Sequence, residues 1–563
     1  MKIKEQFAAD LQKQFGEHLD RHNIYHLIEV PKQQEHGDLA FPCYTLSGKL
    51  RRNPALIAQE AANQLEDAAG YEKVEAVGAY LNVFLNKQLT ASAILARIME
   101  EKNNYGNSQV GQGDVVVMDM SSPNIAKPFS LGHLRSTVIG HSLSLIAEKR
   151  GYKTVRINHL GDWGTQFGKL IAAYKKWGSE EKVKQNTIQE LLALYIRFHE
   201  EAEHSPALEE EGRLWFKQLE EGHADALALW KWFRAESLQE FERIYKLLGV
   251  SFDSDNGEAF FNDKMQRIVD ILEEKQLLTE SEGAMVVDLS EDNLPPCLIK
   301  KSDGATLYAT RDLAAAVYRK ETYHFGNSVY VVGNEQSLHF QQLKAVLRKM
   351  GYSWWEDIRH VSFGMILKEG KKMSTRKGKV ILLEDILQEA IELAKTNIEE
   401  KNPGLADKQS VAENVGVGAV VFHDLKNHRH NDIEFSLEDM LRVEGETGPY
   451  VQYTFARARS LLRKGGYQPA AEEVNGWDRE AWPVVKQLDA FPAVINRAAE
   501  QDDPSQLAKY VVDLAQAFNK YYAGTRILEE GKWKGQRLAL TFAVSIVLKE
   551  GLRLLGIHAP EEM

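Results

Sequence analysis

Apolar positions divide this chain into stretches of different character. In the first hundred residues, helical spacing over Ile3 to Leu19 and Ala55 to Leu65 flanks short strand-like runs, Glu75-Ala76-Val77 and Leu81-Asn82-Val83-Phe84. Asn103 to Gly113, with its Asn, Gly and Gln, reads as a linker. The unbroken apolar run Val115-Val116-Val117-Met118 then predicts a buried parallel strand. A turn rich in Ser, Pro and Asn follows, and a helix opens near Gly132-His133-Leu134. One helix later, Val155-Arg156-Ile157-Asn158 predicts a second strand, as a βαβ unit requires. From about Lys169 to Leu289 charged helical segments dominate, and Trp215, Trp230 and Trp232 read as helix-packing residues of an insertion that splits the sheet. Strands are expected again at Leu307-Tyr308-Ala309-Thr310, at Val329-Tyr330-Val331-Val332 and at Val361-Ser362-Phe363, with a helix from about Phe340 to Met350. From about Ile386 the pattern is helical to the end.

Length and composition narrow the possibilities. At 563 residues the chain has room for roughly three or four domains. Its net charge of −12 argues against a simple basic nucleic-acid coat but leaves local basic patches free to bind a folded RNA. Two cysteines, Cys43 and Cys297, make neither a disulfide framework nor a zinc site by themselves, and a reducing cytoplasm is the expected compartment. The amino-terminal helix lacks the apolar centre of a signal peptide, and no run approaches the ~18 apolar residues of a membrane span.

The strand, small-residue turn and helix start at 115–135 form a geometry that delivers phosphate to free backbone N–H groups and to the positive end of a helix. Gly132 lets a nucleotide lie close to the backbone, and His133 and Arg135 are expected to place donors beside the phosphates. Farther on, Lys371-Lys372-Met373-Ser374-Thr375-Arg376-Lys377-Gly378 is a basic loop between two glycines. Tyr308 and Asp312 fall one turn apart if a helix opens there, and Gln336 follows a strand end, where open parallel sheets bind ligands. No Ser-His-Asp or Cys-His arrangement for a side-chain nucleophile is recognisable.

The wording of these motifs is more specific than their geometry. Ser122-Pro123-Asn124-Ile125-Ala126-Lys127-Pro128-Phe129, with Gly132-His133-Leu134-Arg135-Ser136-Thr137, resembles the class I aminoacyl-tRNA synthetase signature in its arginyl-tRNA synthetase form. The family's first histidine is replaced by Ser130, a departure that bears on rate more than on fold. The basic loop resembles the family's Lys-Met-Ser-Lys loop, with Lys372 at the first lysine and either Arg376 or Lys377 supplying the second charge.

The resemblance spans the chain and implies an α/β fold. A Rossmann-like parallel-sheet catalytic domain at 106–385, with a mostly helical insertion at about 170–290, follows a small α/β domain at 1–105 that contacts the tRNA elbow. An all-α anticodon-binding domain occupies 386–563.

It implies ATP-dependent activation of L-arginine to arginyl-adenylate, then transfer to the terminal adenosine of tRNA(Arg). ATP enters with Mg²⁺ as a substrate complex, with no permanently bound cofactor and no resident metal. The protein is expected to be monomeric and to need tRNA before it activates arginine.

By the same resemblance Ser130, Gly132, His133, Met373 and Ser374 hold ATP, and His133, Lys372, Arg376 and Lys377 serve the reaction. Tyr308, Asp312 and Gln336 hold the arginine side chain, Asn124 its backbone end, and Asp119 completes the shell. A guanidinium, planar and always charged, needs such an aligned carboxylate. Tyr80 and Asn82 would touch the tRNA elbow, unless Tyr80 is a strand core residue and Asn82 a turn former. Tyr450 and Arg457, on an amphipathic helix after Glu444-Gly445-Glu446-Thr447-Gly448-Pro449, would touch tRNA by stacking and phosphate contact, with a solvated helix face as the competing view. His159 is either a donor to ATP or a satisfied histidine at a strand end, and His141 reads as structural, with substitution for the histidine missing at Ser130 as the alternative. Two other classes compete: a catalytically impaired tRNA-binding paralogue, and an adenylate-forming ligase for a small molecule.

Overall fold

The computed structural model describes all residues except 1, 69, 302–307, 369, 373–374, 377–378, 381 and 470–477; for residues 2, 34, 371–372, 375–376 and 379–380 it describes the backbone alone. Four strands, β1 (Val115–Ser121), β2 (Lys153–Asn158), β3 (Asn327–Gly333) and β4 (Ile358–Phe363), form a parallel sheet in the order β4-β3-β1-β2. The chain runs outward from β1 to β2, then returns to the other side of β1 for β3 and β4. The strand order therefore reverses between β1 and β3, and the carboxyl ends of these two strands open the crevice where such sheets bind ligands. Helix α1 (Leu131–Lys149) follows β1 and lies so close to it that a Cβ at Gly140 would sit 2.1 Å from Met120 Cβ. Only glycine permits that approach.

The insertion after β2 is helical as expected, with Thr165–Trp177, Thr187–Ala202, Pro206–Glu220 and the long α2 (Ala224–Leu248). Its tryptophans pack rather than project: Trp230 stands edge-on to Trp163 at 5.7 Å and donates to Asp162 O at 2.7 Å. The insertion ends differently. A three-stranded antiparallel sheet, Leu278–Ser281, Ala284–Val287 and Cys297–Lys300, precedes the return to the core.

The strand expected at 307–310 is not there. Leu307 lies outside the described residues, and Tyr308 begins α3 (Tyr308–Tyr323). The buried run Leu313-Ala314-Ala315-Ala316-Val317 explains this, because alanine is the strongest helix former and its helix extends back through Thr310. Thr310 Oγ1 donates to Ile299 O at 2.7 Å, fixing the helix start to the hairpin sheet. Helix α4 (Ser337–Lys349) links β3 to β4.

In the amino-terminal region, strands Leu39–Pro42, Tyr80–Leu85 and Tyr71–Val77 pair antiparallel in that spatial order under helices that include Lys2–Phe15 and Pro54–Leu65. The carboxy-terminal region is built from α5 (Leu383–Lys401), α6 (Lys408–Leu425), α7 (Gly448–Lys464), α8 (Trp482–Glu500), α9 (Ser505–Gly524) and α10 (Lys534–Leu554). A two-residue strand, Ile433–Glu434, pairs with Ile366–Leu367.

Arg135, on α1, joins this region to the parallel-sheet core, and this corrects its expected place beside the phosphates. The side chain is 1% exposed, lies 3.2 Å from Asp424 of α6, and donates to Gly364 O, Asn431 O and Arg429 O. A cation so enclosed is a structural tie: removing it would leave a buried carboxylate and the carbonyls of Gly364 and Asn431 without this donor, while Arg429 O keeps the Gly364 N–H.

Candidate active site

Helix α1 begins where the loop from β1 ends. The backbone N–H of Ser130 donates to His133 Nδ1 at 3.1 Å, and Ser130 Oγ lies 3.3 Å from the same nitrogen. His133 therefore accepts at Nδ1 and carries its proton on Nε2. Burial lowers its pKa to about 4, so near neutral pH it is an uncharged donor. Gly132 is exposed, and a Cβ added there would meet only Ser130 Oγ, at 3.6 Å. Space for a flat ligand therefore remains above the first turn, beside the free N–H groups of the helix start. Ser130 also bridges Leu382, and Leu383 N donates to Phe129 O at 2.9 Å. The chain leaving the basic loop is thus tied to the signature.

Within that loop, Lys371–Lys372 and Thr375–Arg376 are short strands. The side chains of Lys372 and Arg376 and the whole of Met373, Ser374 and Lys377 lie outside the described residues.

A second group of charges lies at the ends of β1 and β2 and on α3. Asp119, 6% exposed at the end of β1, pairs at 2.8 Å with Arg319 of α3. Its carboxylate is thus already engaged by the chain's own guanidinium. Arg319 Nη2 also lies 3.4 Å from His159 Nδ1, and the His159 ring lies 5.7 Å from that of Phe261. Burial lowers the His159 pKa against the pull of Asp119. Asn124 is half-buried and lies against the backbone of Gly161, where a Cβ would come within 2.3 Å of Asn124 Oδ1.

Asp312, one turn into α3, has a side chain 27% exposed and places Oδ2 2.6 Å from His339 Nε2 of α4. Burial disfavours its charge, but the hydrogen bond and charge of His339, with His159 and Arg319, outweigh burial and hold the carboxyl below its ordinary range. Tyr308, 65% exposed, and Gln336, exposed at the foot of α4, stand at the rim of this region. Glu258 lies inside the insertion, in the segment 252–261, whose role is not readable from the sequence. Burial raises its pKa to about 7, Arg311 at 3.6 Å opposes the rise, and Asp312 and Asp162 add to it. A carboxyl held near half-ionisation beside another acid is suited to receive a cation.

The expected tRNA contacts divide. Tyr80 is half-buried and stands edge-on to Tyr44 at 5.9 Å. Asn82 is 3% exposed, between Ala40 and Glu75 on the flanking strands, so its expected surface position is corrected: the middle strand of a covered sheet encloses it. In the carboxy-terminal region Arg457 lies 4.9 Å from the ring of Tyr453 and 5.0 Å from that of Tyr522, and donates to Asn519, which in turn donates to Tyr450 Oη at 3.0 Å. A groove of about 600 Å³ runs past Tyr450, Tyr453, Arg457 and Met563. Among the described residues no group of three or more His, Cys, Asp or Glu could hold a metal ion, and no helix is long and apolar enough to cross a membrane.

Three family models match in succession: an arginyl tRNA synthetase N-terminal domain at residues 1–85, the catalytic domain of class I (R) tRNA synthetases at 94–437, and a DALR anticodon-binding domain at 451–563. Over the whole of both chains the sequence is 60% identical to an arginine–tRNA ligase of an Exiguobacterium species and 59% identical to one of Enterococcus faecalis. The fold is similar to the arginyl-tRNA synthetase of Thermus thermophilus (TM-score 0.80, 26% identity, 95% of this chain and 96% of that one). It is equally similar to that of Plasmodium falciparum (TM-score 0.80, 25% identity, 100% and 98%).

Proposed function

The chain belongs to the arginyl-tRNA synthetase family of class I tRNA synthetases, and from that premise we propose how its own residues perform the ATP-dependent ligation of arginine to tRNA. The full-length match through all three regions carries this reading, and nothing observed favours an impaired paralogue. A ligase acting only on a small molecule would leave the anticodon-binding region without a ligand.

No protein nucleophile is required. The carboxylate of arginine attacks the α-phosphate of ATP, which enters with Mg²⁺ as one substrate complex, and pyrophosphate leaves. A hydroxyl of the terminal tRNA adenosine, the 2′-hydroxyl in this class, then attacks the carbonyl carbon and AMP leaves. Placement and charge stabilisation supply the catalysis.

The nucleotide lies over Gly132 at the start of α1, and His133 donates from Nε2 to a phosphate oxygen. Its neutrality suits that role, because the donor needs no proton uptake at pH 7. Ser130 sets the tautomer of His133 through its backbone. Lys372, with Arg376 or Lys377, offsets charge on the departing pyrophosphate, while Met373 and Ser374 complete the loop over the nucleotide. Asp312 receives the guanidinium with Glu258 as a second carboxylate, Tyr308 and Gln336 close the rim, and Asn124 holds the backbone end. Asp119 acts one step behind, fixing Arg319 and through it His159.

Tyr450 and Arg457 take a nucleotide of the anticodon arm, and Tyr80 a base of the elbow. We further propose a monomer, and a reducing cytoplasm that suits two buried unpaired thiols. ATP–pyrophosphate exchange with arginine tests the assignment. It is expected only when tRNA is present, and equal rates with and without tRNA would refute that coupling.

A further inference from the structure

We infer that His339 is a positioning residue for arginine: by holding one oxygen of Asp312 it sets the plane of the carboxylate that meets the guanidinium. The inference deepens the arginine-pocket reading and rests on it. The two side chains come from different helices, α3 and α4, and meet at 2.6 Å, the shortest separation around the proposed pocket. A carboxylate accepts only, so His339 donates from Nε2.

The imidazole is itself braced. Its ring lies 5.3 Å from Phe340, and Phe340 is stacked on His360 at 4.4 Å, whose Nε2 donates to Val332 O at 3.0 Å. That bracing reaches β3 and β4, which are paired along their length in the parallel sheet. His339 thus transfers the position of the sheet to a carboxylate that stands on a separate helix.

Why a carboxylate needs this follows from geometry. A guanidinium pairs through two parallel N–H donors, which requires the carboxylate plane to coincide with its own. An aspartate on a helix otherwise turns about two side-chain bonds. Asp312 also has acidic company, since its charge adds to the cost of ionising Glu258. Without a donor on Oδ2 the carboxylate is free to turn out of that plane. With it, Oδ2 is anchored by one of its lone pairs, and its other lone pair and Oδ1 are left to the two N–H donors of the ligand. Binding energy for arginine then need not be spent on ordering the acid that receives it.

The test uses the full chain with L-arginine, ATP and tRNA, and reads the KM for arginine and for ATP separately. His339→Leu removes the donor and is expected to raise the arginine KM by about ten- to hundredfold, the usual weight of a hydrogen bond to a charged group. The ATP KM is expected to stay within about twofold. His339→Gln places an amide near the position of Nε2 and is expected to recover the arginine KM to within about threefold, whereas the shorter His339→Asn does not. This Gln–Asn pair decides the matter even if the leucine variant fails to fold. Adding His339→Leu to Asp312→Asn is expected to change the arginine KM no further, because the two act as one unit.

Equal behaviour of the Gln and Asn variants, or a parallel rise in both KM values, would overturn the positioning role. An unchanged arginine KM in the His339 variants, with a large rise in Asp312→Asn, would overturn it while leaving the pocket intact. An unchanged arginine KM in Asp312→Asn would remove the pocket reading and this inference together.

Discussion

Acidification should loosen the molecule at the middle of helix α1, and the size of the effect follows from His141. This side chain is 9% exposed and packs on the backbone of Gly556, where an added Cβ would lie 2.8 Å from His141 Cδ2. Burial, with the nearby charges of Arg156 and Arg553, lowers its pKa from 6.5 to about 4. Between those two values the unfolded chain binds more protons than the folded one, so stability falls as pH drops from 6.5 and the fall levels off below about 4. Relative to pH 7.5, the single group accounts for a loss of about 2 kcal/mol at pH 5 and about 3 kcal/mol at pH 4.

His141→Leu removes the titration while keeping a side chain of similar bulk. Thermal midpoints of the two proteins, each referred to its own value at pH 7.5, should diverge at pH 5 by about 4–8 °C, taking about 2–4 °C per kcal/mol for a domain of 150–250 residues. The leucine variant should be the less acid-sensitive. His133, also lowered to about 4 by burial, is present in both proteins and cancels from the comparison. Parallel pH profiles for the two proteins would show that His141 is not held neutral, and would refute the reasoning.

Other consequences are equally direct. Arg135→Met should lower stability by about 3–5 kcal/mol, because it leaves Asp424 buried and unpaired, and Asp424→Asn should cost less; thermal unfolding of the two variants gives the comparison. Ser130→His should leave the exchange rate unchanged or lower it, since the serine already fixes His133 and bridges Leu382; a fivefold rise in exchange would show that the missing histidine limits the rate. Glu561 lies 2.5 Å from Arg459 of α7 and 3.3 Å from Lys549 of α10, beside the groove proposed to take tRNA. Glu561→Gln should therefore tighten tRNA binding by about two- to fivefold in low salt, an advantage lost at high salt, as filter binding at two ionic strengths would show.

The parts of the fold legible in the sequence were those with local signals. The apolar run at 115–118, the small-residue turn and the helix start at 131 each announce themselves within a few residues. Where tertiary partners decide, local signals misled. Tyr308 looks strand-like beside Leu307 and the β-branched Thr306 and Thr310, yet the alanine run after it sets a helix. Asn82 reads as a surface amide, but the strands on both sides enclose it. Arg135 stands beside the phosphate signature in sequence, while its carboxylate partner comes from α6, 289 residues on. The roles of His339 and Glu258 could not be read for the same reason: each gains its meaning only from Asp312, which arrives on another element.

The most direct measurement of the central claim is the charging of total tRNA with each standard amino acid in turn, by the full chain and by Asp312→Asn, at saturating ATP and Mg²⁺. The account predicts that the unaltered protein esterifies tRNA with arginine alone, and that the variant loses this activity at ordinary arginine concentrations while its folded state is kept. Charging with a different amino acid, or arginine charging that survives the loss of the carboxylate, would contradict it.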